Sequence, residues 1–399
     1  MTALALDPYV TDWLNLLIRG LHVVAAIAWI GGSFYFMMLD NQLEPPERAE
    51  DRARGVAGES WEIHGGGFYR VEKFAVAPER LPKTLHWTKW QAYTTWLSGF
   101  ALLVVLYYLN ADQYLVGPST LATGWLVAIS IALLVVGWVV YDVLCRTIDS
   151  DLVVGGIVLV LVALTAWGSY RLFAPRAAWL QVGAMLGTIM VANVFFVIIP
   201  AHWELVRAKE RGEAPDPRHG LRGKQRSVHN NYFTLPVLLT MLAGHFAFVT
   251  GRTRGWLVLV VLMVLSALVR HFYNRRHAGT NLWWIPAGVT LAIVGLAILL
   301  RPQDSLPRGT ATAAVSFADA QKIVTARCVP CHSENPTFGG IDAAPMGIEL
   351  DDPEAIVRQA QAIKTQAVVT KQMPLGNATQ MTDEERRQLG AWVDQGAKR

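Results

Sequence analysis

The chain has 399 residues, 53% of them hydrophobic and only 17% charged, with a formal net charge of +4. That balance excludes a water-soluble single-domain protein, and the length favours two or three domains. No Lys/Arg run or basic-aromatic stripe is present, so no nucleic acid is expected as a partner.

Apolar runs of the roughly 20 residues needed to cross about 30 Å of hydrocarbon fall near 13–39, 90–109, 120–145, 152–173, 177–201, 232–249, 255–276 and 282–300. They predict about eight transmembrane helices. The first lacks a charged n-region and a small-residue cleavage site, so it reads as a membrane helix and not as a cleavable signal.

Orientation follows from the basic residues. Loop 40–89 carries eight Lys/Arg and loop 202–231 seven, while the N-terminal tail and loop 110–119 carry none. Because Lys/Arg-rich loops stay in the cytoplasm, both basic loops are expected inside and both termini in the periplasm. The expected setting is a bacterial inner membrane, with the lipid bilayer as surrounding partner. Loop 40–89 also holds Trp61-Glu62-Ile63-His64-Gly65-Gly66-Gly67-Phe68-Tyr69. Its glycines either admit an anionic ligand to the backbone or mark a bend.

Past Leu300 the composition changes. Residues 301–315 read as a linker, dividing the chain into a transmembrane domain (1–300) and a C-terminal domain (316–399). Ser316 with Asp319, and Thr382 with Glu385, are capping-box signatures that start helices. Between them stands Cys328-Val-Pro-Cys331-His332. Two thiols three apart followed at once by an imidazole suit covalent attachment of one haem c, the thiols forming thioethers and His332 ligating the iron. A redox dithiol needs no adjoining His, and a zinc site needs a second ligand pair that the region lacks. The expected second axial ligand is Met373, 41 residues on, before Pro374 and the closing helix; Met346 and Met381 compete with it. Trp392 is expected to pack against the first helix of this domain, and the third cysteine, Cys145, reads as packing. The predicted fold is therefore all-α, a polytopic membrane helix bundle followed by a small class I-like cytochrome c domain.

Nine histidines in the membrane part are unusual where ionisable groups are costly. At 1.5 Å per residue, His22 lies ~13 Å from the outer end of its helix and His245 ~20 Å from the inner end of its own. His202, His229 and His271 fall near the cytoplasmic face. Two tiers result. His22 with His245 is a candidate bis-His site, and the inner three are candidate haem ligands or redox-relay groups, leaving room for one or two b-type haems. The plainer alternative is that each is a hydrogen-bonded core histidine. Arg19, three residues before His22 and so on nearly the same face, either snorkels outward or meets a propionate or an anionic substrate.

The run Leu21-His22 through Phe36 with Leu39-Asp40-Asn41, Ile63-His64-Gly65-Gly66-Gly67, Leu85-His86-Trp87-Thr88-Lys89-Trp90, Ser227-Val228-His229-Asn230-Asn231-Tyr232-Phe233-Thr234-Leu235-Pro236 and Met373-Pro374-Leu375-Gly376-Asn377 resembles the bacterial membrane-bound urate oxidases that end in a cytochrome c domain. The resemblance implies oxidation of urate to 5-hydroxyisourate, with electrons leaving through cytochrome c to a downstream cytochrome c or terminal oxidase instead of reducing oxygen to peroxide. It carries over no catalytic residue. His64 and His86 join Arg19 as candidate substrate or propionate contacts. Two other functions fit the same features: a quinol-oxidising membrane cytochrome without a purine substrate, and an anchor whose haem c serves a partner enzyme.

Overall fold

The computed structural model describes residues 8–243, 246–252, 254–301, 315–339, 341 and 343–399. His245 and linker positions 302–314 lie outside the described residues.

Helices occupy the predicted apolar segments. They are α1 (Pro8–Gln42), α3 (Lys89–Leu103), α5 (Thr123–Thr147), α6 (Asp151–Leu172), α7 (Pro175–Ala192), α8 (Ile199–Glu210), α9 (Pro217–Ala243), α10 (Ala247–Thr250), α11 (Gly255–His277) and α12 (Trp284–Leu299). The short helices α2 (Ala49–Ala53) and α4 (Ala111–Tyr114) lie in connections. Of the described helices, five are long and apolar enough to cross a membrane: Tyr9–Gln42, Thr123–Thr147, Asp151–Leu172, Pro175–Glu210 and Gly255–His277. The other apolar segments are shorter or interrupted. Helix α12 has 16 residues, α3 runs into a π-turn at Val104–Tyr108, and α9 begins with a basic stretch before its apolar half.

Helix α7 is the most enclosed, with Trp179, Val182, Leu186 and Ile189 in the main apolar cluster alongside Tyr141 of α5, Val158 of α6 and Leu259 of α11. It passes into α8 through a π-turn, Asn193–Ile198. The outer faces of the bundle carry exposed apolar side chains, among them Leu16, Val24, Val135, Leu164 and Leu291. A bundle apolar inside and outside matches burial in lipid.

The all-α expectation has one exception. Within loop 40–89, β1 (Val56–His64) pairs antiparallel with β2 (Gly67–Phe74). Gly65 (φ 57°) and Gly66 (φ 84°) form the two-residue turn. Positive φ at both central positions is the requirement of a type I′ hairpin, so the glycine run forms the bend. Charge fixes the root: Arg70 binds both Asp51 and Glu59, and Asp40 takes Lys73 and, at 3.0 Å, Lys224.

Contacts sort the connections onto two ends. At the basic end Trp87 stacks on Trp203 (4.6 Å between ring centroids) and Gln225 donates to Asp151 (2.8 Å). At the opposite end Val116 bridges Phe173, and Arg252 donates to the Leu300 carbonyl.

The C-terminal segment has its own apolar cluster, in which Ile323 and Val324 of α13 (Phe317–Arg327) meet Ile356 of α14 (Pro353–Arg358), Ile363 of α15 (Ala360–Ile363) and Leu389 and Trp392 of α16 (Asp383–Asp394). Trp392 reaches Phe317 of α13, at 5.9 Å between centroids, as its expected packing requires. Ser316 caps α13 through the Asp319 N–H; only Thr382 and Glu385 close the full reciprocal box, at α16. This unit meets the bundle at the end opposite the basic loops: Gln372 donates to Thr250, and Gly376 lies against the backbone of Asp112 and Gln113.

Candidate functional site

Helix α13 ends at Cys328, whose carbonyl accepts the N–H groups of Cys331 (3.1 Å) and His332 (2.9 Å). That tight turn puts both thiols and the imidazole in one place. The His332 Nδ1–H donates to the Ile348 carbonyl at 3.0 Å, and Leu350 N–H returns to the His332 carbonyl at 2.8 Å. With Nδ1 committed, Nε2 is the nitrogen left to ligate a metal, the usual way a backbone carbonyl orients a ligating imidazole. The residues present therefore fit a haem c. Burial pushes the Cys328 thiol up to about 12 and raises Cys331 as well, the reverse of the lowered value a redox dithiol needs. No group of three or more His, Cys, Asp or Glu suited to a metal occurs among the described residues.

The methionines separate by exposure. Met346 is 94% exposed and Met381, at 3%, is packed into the apolar cluster. Met373 is half-buried, and Arg386 holds its loop by donating to the Met373 carbonyl (2.7 Å) and to Asn377 Oδ1 (3.0 Å). Arg386 was not legible as a functional residue in the sequence, where a basic residue on a polar helix reads as solvated.

In the bundle, His22 turns toward α3. Its Nδ1 lies 2.9 Å from the Thr95 carbonyl and 3.2 Å from Ser98 Oγ, and a Cβ at Gly99 would stand 2.9 Å from the ring. The glycine makes that approach possible. Here too Nδ1 is used by a carbonyl and Nε2 is spared, so His22 fits one axial position of a b-type haem.

The inner histidines have separate partners. His229 Nδ1 accepts from Tyr141 Oη (2.8 Å) while Nε2 lies 3.2 Å from Asp151 Oδ1; Asn193 donates to Tyr141 Oη (3.1 Å) and to Asn230 Oδ1 (2.9 Å). A hydrogen-bonded line thus runs from the π-turn to His229, whose Nε2 makes no hydrogen bond although the Asp151 carboxylate at the basic end is 3.2 Å away. Cys145 touches the same imidazole at 3.7 Å. His271 instead bonds Tyr232 at 2.7 Å, and His202 sits beside Trp87. Arg19 donates to Asn15, one turn back, on an exposed face. His64 is exposed at the hairpin turn and His86 in the following loop, away from the buried groups.

A second buried cluster lies between α9 and α11. Arg270 Nε and Asn274 Nδ2 both donate to Asn231 Oδ1, each at 2.9 Å, and the Phe34 ring of α1 covers the guanidinium at 3.9 Å. Arg270 Nη2, Asn231 Nδ2 and Asn274 Oδ1 are buried without hydrogen-bond partners, as is His277 Nδ1. Sequence reading missed this cluster; its only signal was the i, i+4 pair of Arg270 and Asn274 beside an Asn-Asn step on another helix.

Residues 8–301 match the urate oxidase N-terminal family. The chain belongs to that family. No curated protein and no solved structure matches it. The family match spans α1 to α12 and so contains both polar clusters, whereas the Cys328–His332 turn lies beyond it. Membership in the urate oxidase N-terminal family points to an oxidoreductase of urate chemistry, and the long apolar helices are compatible with a place in a membrane.

Proposed function

We propose that this protein is a membrane-bound urate oxidoreductase, with about eight spans, its basic loops in the cytoplasm, and a periplasmic cytochrome c domain. Urate and water give 5-hydroxyisourate, two protons and two electrons, and the electrons leave through the C-terminal unit to a downstream cytochrome c or terminal oxidase. The observation that carries this reading is the joining, in one chain, of a urate oxidase family bundle to a Cys-x-x-Cys-His turn.

Cys328 and Cys331 would hold haem c covalently, with His332 Nε2 and the Met373 thioether on the iron. Haem c, when bound, supplies a one-electron acceptor that is used twice per urate. Arg386 holds the Met373 carbonyl and so keeps the thioether loop in place. His332 keeps its ring orientation through the Ile348 carbonyl. In the bundle, Tyr141 Oη donates to His229 Nδ1 and the Asp151 carboxylate lies 3.2 Å from Nε2, groups that can move a proton toward the basic end. His22, through Thr95, would hold one side of a b-type haem.

The test is anaerobic addition of urate to the purified protein. Reduction of haem c by urate supports the reading. Reduction by quinol alone supports a quinol-oxidising cytochrome, and inertness to both supports an anchor that serves another enzyme.

A further inference from the structure

Among the described residues of the bundle, the buried cation Arg270 has no carboxylate partner. Arg226 and Asp142, both buried, pair at 2.9 Å. Arg270 is only 4% exposed, and no described carboxylate lies within ion-pair reach of it. Breaking or omitting the partner of a buried charge costs several kcal/mol, and the cost is not relieved by lipid. An arrangement that keeps such a guanidinium is organised for an anion that arrives from outside the chain.

The free groups around Asn231 define that anion further. Asn231 Oδ1 accepts from both Arg270 Nε and Asn274 Nδ2. Those two bonds fix which end of each amide points where. Asn231 Nδ2 and Arg270 Nη2 are left as donors, and Asn274 Oδ1 as an acceptor, all without partners. Asn231 is fully buried and Asn274 is 8% exposed, so water does not reach these atoms freely. The lone acceptor narrows the choice. A carboxylate such as a propionate, or a chloride, offers no proton to an amide oxygen, whereas a purine anion presents ring N–H beside carbonyl oxygens on one edge. Phe34, already flat over the guanidinium, adds an aromatic face to the same place.

The geometry points to Arg270, Asn231 and Asn274 as the binding site of the urate anion, with the charge on Arg270 Nη2, a urate oxygen on Asn231 Nδ2 and a urate N–H on Asn274 Oδ1. This rests on the urate reading above. It also assigns the substrate to the α9–α11 side of the bundle, apart from Tyr141 and His229 on the other side of α9.

The experiment measures equilibrium binding of radiolabelled urate to the purified full-length protein without oxygen, with pyridine haemochrome spectra on the same samples. Asn274→Asp places a carboxylate one turn from Arg270, which neutralises the buried charge and repels the anion, at the cost of the Asn274 Nδ2 bond to Asn231 Oδ1. It is expected to weaken urate binding by at least ~30-fold, the scale of losing one partner of a buried charged pair, with b- and c-type haem content unchanged. Arg270→Gln is expected to do the same. Wild-type affinity in a folded Asn274→Asp overturns the site. Loss of a b-type haem from Arg270→Gln with urate affinity intact overturns it in favour of a propionate. If the wild type itself binds no urate, the urate reading fails and the site with it, an outcome distinct from either variant result.

Discussion

Gln372 Nε2 donates to Thr250 Oγ1 at 2.7 Å, so the loop that carries Met373 is bonded to the bundle at the end away from the basic loops. Four residues further on, Gly376 sits at φ 57°, and a Cβ there would lie 3.3 Å from the carbonyls of both Asp112 and Gln113. Gly376→Val is therefore expected to weaken the junction by ~1–3 kcal/mol, the range for a strained backbone position. Thioether attachment stays intact. Limited proteolysis should cut the variant faster between bundle and C-terminal unit, and urate should reduce haem c more slowly; unchanged cleavage and unchanged rate would mean the contact does no work.

Met373→His is expected to keep the covalent haem and lower its potential by tens to hundreds of millivolts, in line with axial-ligand tuning. Redox titration decides it. An unchanged potential would remove Met373 from the iron, and the burial of Met381 in the apolar cluster and the exposure of Met346 would leave neither as a ready replacement.

Reporter fusions after Arg301 should be active only as periplasmic reporters. The expectation rests on 8 Lys/Arg in loop 40–89 and 7 in loop 202–231, and on the bonds that put those two loops at the same end, Asp40 to Lys224 among them. Cytoplasmic activity at that fusion point would reverse the whole orientation.

His22→Ala and His245→Ala are each expected to remove one b-type haem while leaving the c-type haem in place, and to slow urate-dependent reduction of haem c by orders of magnitude. The reason is distance: electrons would face much of a ~30 Å core without a stepping stone. Pyridine haemochrome spectra and stopped-flow reduction read the two effects. A wild type with c-type haem alone would make His22 a structural residue, held by Thr95 for packing.

What could be read from the sequence was whatever is written locally. Cys328, Cys331 and His332 are neighbours in the chain, so their chemistry needs no fold to assemble it, and the apolar runs announce helices because lipid demands length and composition. The hairpin was missed because Gly65-Gly66 reads equally as ligand cradle or turn until the register of Ile63 with Phe68 is known. Arg270 was missed for a different reason. A basic residue seven positions from a helix end reads as snorkelling toward water, and only the contact across to Asn231 shows that it points inward. Exposure likewise set His64, His86 and His202 apart from half-buried His22 and His271 and buried His229, a distinction that residue type cannot make.

Four consecutive residues of α9 serve four different neighbours: His229 reaches Tyr141, Asn230 reaches Asn193, Asn231 reaches Arg270 and Tyr232 reaches His271. Successive side chains on a helix are about 100° apart, so the segment works as an axle with a spoke in each direction. A small rotation of α9 that tightens one spoke must loosen another. The α11 side of this axle and the Tyr141–His229 pair on the other thus share one short segment of backbone.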